Sequence, residues 1–486
     1  MKILCVQLAR FGDIYQSWPT LNALKRSNPD VELHFLVRER FAAATVGLAA
    51  IDRLIQLPSR EIFEPLFSDH PGLERSLRNL NSFTDALRAE EYDLIVNLSF
   101  SPSSSYLVDI VAAPKTVIRG YTRHTDGFLA IPDDASSYFY AQVGVERNNR
   151  IHVTDLFALV AGVELNNADF TYPKCDRPEG LAQSYIVIHV GASSVEKSCS
   201  ANSWSEIVAK IQKFYSGQIV FVGASGEECL VPHDIESDSI VNWVGRTELK
   251  DLFGILSHAE ALIGADSVAL HVASLTATPS LNISFASVRF WETGPRAPRS
   301  RVLWFEDSRH ISSERVAAEL QLLLAHKPAS SFSIEKIEEF GVLYKLNGYQ
   351  EASFSWELVR ALYMNIEFPI IDSVTIRHGF MRLGELATLG LDQMSAIQNP
   401  ETRSIAIGIL DEIDSLVHQV GQFVPEIGPV VRWFQTEKLR IGPASMNEVL
   451  ATTRTIFEKL RDICQIYELN QTFNEQLPRE DLTWKL

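Results

Sequence analysis

Five short segments of this 486-residue chain set a glycine and one or more charged or hydroxyl side chains just after an apolar run. In "ARFGDIYQSWP" (residues 9–19), Gly12 allows a tight turn and Asp13 is a lone carboxylate. Asp is a favoured N-cap, so Asp13 can simply open a helix. At the carboxyl end of a strand it can also be a catalytic base, because open α/β sheets bind ligands along that edge. In "IHVGASSVEKS" (188–198), Gly191 lets backbone approach a ligand, Ser193 and Ser194 offer donors, and Lys197 supplies a positive charge. That set suits a phosphate, since charge-assisted hydrogen bonds contribute about 1.5–3 kcal/mol each. The spacing is not that of a Walker loop, and a solvated loop lysine would look the same.

In "IGADSVALHVAS" (263–274), Asp266 and Ser267 open a helix, Val268 follows, and His271 lies one turn inside. A helix N-terminus presents free N–H groups and a positive dipole, a ready site for a diphosphate. The plain alternatives are an N-cap for Asp266 and a satisfied core residue for His271. In "VFVGASGEE" (220–228), Glu227 and Glu228 follow a strand, where a carboxylate can accept from both hydroxyls of a ribose or complement a helix dipole. In "IRGYTRHTDG" (118–127), Arg119, Arg123 and His124 form a basic cluster fit for an anionic acceptor or for surface salt bridges. The phosphate-binding features thus lie in the second half of the chain and the lone carboxylate in the first. That division suits a nucleotide-sugar transferase.

Such residues need a scaffold that delivers them to one edge. Near-continuous Val/Ile/Leu runs predict strands at 2–8, 31–37, 53–57, 93–98 and 115–120, with helices at 14–26, 40–49, 73–90 and 103–112. A second set of strands is predicted at 185–190, 218–223, 240–244, 261–265 and 279–285, with helices at 203–215, 249–260, 267–276 and 312–325. Alternation of this kind predicts parallel sheets covered on both faces. The reading is two Rossmann-like doubly wound domains, 1–175 and 180–328, joined through "YPKCDRPEGLAQS" at 172–184. From about 330 the apolar spacing becomes three and four, which predicts an appended all-helical domain over 330–486.

Composition narrows the class. A hydrophobic fraction of 46% and a charged fraction of 22% are those of a globular protein, and no apolar run is long enough to span a membrane. A net charge of −17 argues against binding nucleic acid or an anionic membrane through bulk charge. The five cysteines are scattered without metal-ligand or CxxC spacing, so no structural metal is expected. With no signal-peptide pattern in "MKILCVQLARFGD", the expected location is cytoplasmic, with at most peripheral contact at the inner face of the inner membrane.

The ordered segments resemble the lipopolysaccharide heptosyltransferase family, glycosyltransferase family 9 of the two-domain GT-B architecture. The resemblance begins at "MKILCVQLARFGDIYQSWPTLNALKRSNPDVELHFLV" and continues at "IVIHVGASSVEKSCSANSWSEIV". It extends through "WVGRTELKDLFGILSHAEALIGADSVALHVASLTATPSLNISF", and covers roughly residues 1–325. It implies an inverting glycosyltransferase with a nucleotide-diphosphate sugar, ADP-heptose, as donor and lipopolysaccharide core, another cell-surface glycan or a protein as acceptor. It puts Asp13 on the catalytic base and Lys197 on the residue that neutralises the leaving diphosphate. The donor site takes Gly12, Gly191, Ser193, Ser194, Glu227, Asp266, Ser267, Val268 and His271, and the basic residues Arg119 and Arg123 stand for the acceptor. No metal or other cofactor is implied, because lysine and helix dipole do that work. Two positions depart from the family pattern: Val268 replaces a glycine and Cys199 a tryptophan. A degenerate GT-B protein serving as a scaffold, and a UDP-sugar transferase or epimerase, stay open as alternatives. The stretch 330–486 has no counterpart in the family and could take a protein partner or a second copy.

Overall fold

The apolar runs form two parallel sheets. The computed structural model describes all residues except 68–71, 146–147, 173–174, 193, 233–237, 330–331, 338–339, 347–353 and 470–486. The first sheet contains β1 (Lys2–Gln7), β2 (Glu32–Arg38), β3 (Arg53–Leu57), β4 (Leu94–Asn97) and β5 (Val117–Arg119) in the order β3-β2-β1-β4-β5. Its crossovers include α1 (Phe11–Ser27), α2 (Ser59–Phe63), α3 (Leu73–Arg88) and α4 (Pro102–Val111). The chain then runs through β6 (Thr122–Arg123), β7 (Leu129–Ala130), α5 (Asp134–Tyr138) and α6 (Val153–Ala161).

The second sheet has the order β10-β9-β8-β11-β12-β13. Its strands are β8 (Tyr185–His189), β9 (Gln218–Val222), β10 (Ile240–Asn242), β11 (Ala261–Gly264), β12 (Ser280–Phe285) and β13 (Arg301–Phe305). The helices here are α7 (Ala201–Ile211), α8 (Asp251–Ser257), α9 (Val268–Leu275), α10 (Phe290–Thr293) and α11 (Ser313–Leu324). Every residue of β8, β11 and β12 is buried, which is why these strands read as unbroken apolar runs. Strand order reverses between β1 and β4 and again between β8 and β11. Connections diverge on either side of those pairs and leave a crevice at their carboxyl ends.

A hairpin follows, β14 (Phe332–Ile337) antiparallel to β15 (Gly341–Leu346). The tail ends in α12 (Phe354–Tyr363), α13 (Val374–Ala396), α14 (Arg403–Phe423), α15 (Gly428–Leu439) and α16 (Met446–Leu469). The chain divides into two units: residues 1–122 with 150–351, and residues 123–149 with 352–486. The helical tail therefore differs from the expected 330–486 in two ways. Residues 332–337 and 341–346 are strand and group with the two sheets, because "FSIEKI" and "GVLYKL" pair as a hairpin. Residues 123–149 leave the expected 1–175 domain for the helical unit. There Tyr138 packs edge-on against Tyr363 at 5.1 Å, Ser137 donates to Glu437 at 3.1 Å and Arg440 pairs with Asp134 at 2.7 Å. The helical core centres on Phe380, Leu383, Val417, Val430 and Leu460.

Within the first unit the two Rossmann-like halves meet through α1. Trp18 of α1 stacks on Phe253 of α8 (5.6 Å), and Tyr172 covers the same ring at 3.8 Å. Aromatic pairs of this kind contribute about 0.5–1.5 kcal/mol beyond their buried area. They bring the start of α1 close to α9.

Candidate active site

Helix α1 begins at Phe11, earlier than the local sequence predicts, so Gly12 and Asp13 lie in its first turn rather than in a loop. Asp13 is not the N-cap. It is the third helical residue, and its carboxylate reaches back to accept the Arg10 N–H at 3.1 Å. Gly12 has a tertiary reason: a Cβ there would stand 3.2 Å from the His271 ring. One turn on, the buried Gln16 amide donates to His271 Nε2 at 3.0 Å. Gly12 and Gln16 share the helix face that meets α9.

His271 is buried, and burial lowers its pKa, while the charges of Asp266 and Asp13 act in the opposite direction. Its neutral ring accepts from Gln16 and lies within the fields of both carboxylates. The expectation of a satisfied core histidine holds at this position: the ring is buried and bonded to Gln16.

Asp266 follows β11 and is not a cap either. Ser267 occupies the N-cap position of α9, yet makes no capping bond; its buried Oγ has no partner among the described residues. Asp266 Oδ1 accepts from Thr293 Oγ1 at 2.8 Å, and Oδ2 lies 3.5 Å from Lys197 Nζ. Lys197 ends a short 3₁₀ turn after β8, with Ser194, exposed, at the turn's start. Ser193 lies outside the described residues. Val268 is the first residue of α9 and has no positive φ, so the helix does not require a glycine there.

Glu227 follows β9 and points back under β8. Its carboxylate accepts the Ala224 N–H at 2.7 Å, and burial raises its pKa, opposed by that bond and reinforced by Glu228. A Cβ on Gly191 would overlap this carboxylate, so Gly191 makes room for Glu227 rather than for a bare backbone approach. Beside it, the buried His189 donates from Nδ1 to Gly191 O at 3.0 Å.

Arg119 donates from its guanidinium to Ala161 O at the carboxyl end of α6, a helix-capping bond. Arg123 belongs to the helical unit and donates to Gly127 O at 3.2 Å; it does not share a unit with Asp13. Cys199, at the position of the family's tryptophan, is buried in the core of the second sheet, and burial pushes its thiol up to about 12.

The local sequence reading missed Thr293 and a cavity of about 530 Å³ beside α8, lined by Arg177, Trp243, Arg246 and Lys250 among others. Trp243 follows β10, at the same carboxyl edge as Lys197, and the "WVGRTELK" stretch carried that signal. Among the described residues, the side chains grouped closely enough to ligate a metal are Glu32, His34 and Glu90. They lie toward the amino ends of β1 and β2, and Glu90 is already taken by Lys2 at 2.7 Å and Arg53 at 2.5 Å.

Two Rossmann-like halves with a carboxylate on one and a lysine and helix N-terminus on the other define a GT-B type transferase. The model of glycosyltransferase family 9 (heptosyltransferase) matches residues 80–322, and the chain belongs to that family. Lipopolysaccharide heptosyltransferase 3 of Escherichia coli K12 is 22% identical over 292 residues, 58% of this chain and 81% of that protein. Lipopolysaccharide heptosyltransferase 1 of the same strain is 21% identical over 293 residues, 58% and 87%. The crystal structure of a family 9 glycosyl transferase from Veillonella parvula superposes with a TM-score of 0.51 at 18% identity, covering 67% of this chain and 97% of that one. The chain is thus a heptosyltransferase-like glycosyltransferase. The family match begins after Asp13, so the case for that residue rests on its geometry. No helix among the described residues is long and apolar enough to cross a membrane.

Proposed function

We propose that the protein transfers heptose from ADP-heptose, with inversion, onto lipopolysaccharide core, a related cell-surface glycan or a protein. The observation that supports this reading is the meeting of α1 and α9 at His271, a ring that feels the charges of both Asp13 and Asp266, the partner of Lys197. Asp13, half-buried and fixed by the Arg10 N–H, takes the proton of the acceptor hydroxyl as that oxygen attacks the anomeric carbon. The bond to the nucleoside diphosphate breaks on the opposite face, and its developing charge falls to Lys197 and the N–H groups of α9. A neutral His271 supports this division of roles, because a protonated ring would pair with Asp13 and quench the base. The unpartnered Ser267 hydroxyl suits a phosphate oxygen, and Glu227 a ribose. The positive charge needed for departure comes from the chain itself, so the reading calls for no metal ion.

Thermal unfolding with ADP, UDP, GDP and CMP tests the donor. A nucleotide at about 100 times its Kd adds about 2.7 kcal/mol of stability. The reading expects a shift with ADP that Lys197→Ala abolishes, and loss of turnover in Asp13→Asn with ADP binding intact. A shift with UDP alone would discard the heptose donor; no shift at all would favour a binding protein without activity.

A further inference from the structure

We infer that Thr293 is a positioning residue that holds Asp266 back from Lys197 and so keeps the lysine ammonium available for the departing diphosphate. This rests on the role proposed for Lys197. Both side chains are largely buried, 27% exposed for Lys197 and 15% for Asp266, yet they stand 3.5 Å apart. An unrestrained ammonium–carboxylate pair in such a setting closes to about 2.7–2.9 Å. Thr293 donates to the other oxygen of the same carboxylate at 2.8 Å and so fixes where that carboxylate stands.

Thr293 can act this way because the backbone behind it is anchored on several sides. Gly294 O accepts from His152 Nε2 at 3.0 Å, and Pro295 O accepts from the Tyr344 hydroxyl at 2.9 Å. The Arg296 N–H donates to Ser274 Oγ at 2.9 Å, and its guanidinium pairs with Asp155. Phe290, Trp291, Val302 and Tyr344 close a small apolar core around the segment. Tyr344 comes from the β14–β15 hairpin, beyond the last residue of the family match. A structural element outside the matched region therefore fixes the group that tunes Lys197.

The test measures Lys197 directly, without any donor. The full chain is acylated with a trace of acetic anhydride at pH 8, and the yield at Lys197 is compared with that at the exposed Lys213 by peptide mass spectrometry. In Thr293→Val the freed carboxylate closes on Lys197, and an ammonium so paired gives up its proton less readily. Its relative labelling should fall roughly three- to tenfold. Thr293→Ser, which keeps the donor, should label like the unaltered protein. Thr293→Val combined with Asp266→Asn should label no slower than Asp266→Asn alone. Unchanged labelling in Thr293→Val, or an equal loss in Thr293→Ser, would overturn the proposal. ADP binding by the unaltered chain, measured alongside, decides the separate question of whether Lys197 serves a nucleotide.

Discussion

His189 offers a measurable link between the site and stability. The ring is buried at the carboxyl end of β8, its Nδ1 donates to Gly191 O, and burial lowers its pKa from 6.5 to about 4. The unfolded chain therefore takes up this proton first as pH falls. Below pH 6.5 the folded state loses stability at about 1.4 kcal/mol per pH unit, and the loss is complete near pH 4 at about 3 kcal/mol. His189→Asn keeps an amide N–H where Nδ1 stands and removes the titration. At pH 7.5 it should be less stable by about 1–2 kcal/mol through lost packing. At pH 4.5 that deficit should vanish or reverse, since the unaltered protein alone has lost about 2–3 kcal/mol on the way. His152 and His271 are also buried with lowered pKa values, but they titrate in both proteins and drop out of the difference. Urea midpoints of the two proteins between pH 7.5 and 4.5 decide the matter. Parallel curves would refute the claim that His189 is held neutral by burial.

Gly191→Ala should push the Glu227 carboxylate off the Ala224 N–H at a cost of about 1–2 kcal/mol in stability, and weaken ADP binding about tenfold by calorimetry if Glu227 holds the ribose. Ser267→Ala should stabilise the ligand-free protein by about 1 kcal/mol, by removing a buried hydroxyl that has no partner among the described residues, while ADP affinity falls. Arg119→Met should lower the melting temperature by an amount matching about 1 kcal/mol and leave the acceptor KM unchanged, because its guanidinium serves the end of α6. Under the proposed role of Lys197 and α9 in meeting the leaving group's charge, dialysis against EDTA should leave turnover unchanged; its loss would refute that role.

The strands of both sheets were legible because burial on both faces leaves runs of Val, Ile and Leu that nothing else requires, and all but one fall within a residue or two of the local reading. The exception is β13, Arg301–Phe305, whose buried arginine is paired with Glu319 and breaks the apolar signal. Asp13 and Lys197 were legible as types but not as geometry. Gly12 looks like a turn residue, yet it sits in a helix, where a Cβ would crowd the distant His271 ring at 3.2 Å. Gly191 likewise yields to Glu227, and no local pattern can report a neighbour supplied by another strand. Residues 123–149 group with the helical unit for the same reason, since Tyr138, Ser137 and Asp134 find partners at Tyr363, Glu437 and Arg440. Thr293 carried no local sign, and its meaning comes only from the carboxylate it holds.

The departures at Val268 and Cys199 raise the question of a retired enzyme kept as a scaffold, and the energetics of the site weigh against that. Cys199 lies in the core, where it changes packing and not the pocket, and Val268 takes an ordinary helical backbone. The remaining features are ones a scaffold would not need. A lysine stands 3.5 Å from Asp266, a buried serine hydroxyl has no partner among the described residues, and a histidine with a lowered pKa lies within the field of two carboxylates. Each costs folding free energy that a small apolar side chain would recover. All three collect where α1 meets the carboxyl edge of the second sheet. Costs scattered over a fold mark imperfect packing; costs gathered at one switch point mark the place where a charged ligand is expected to repay them.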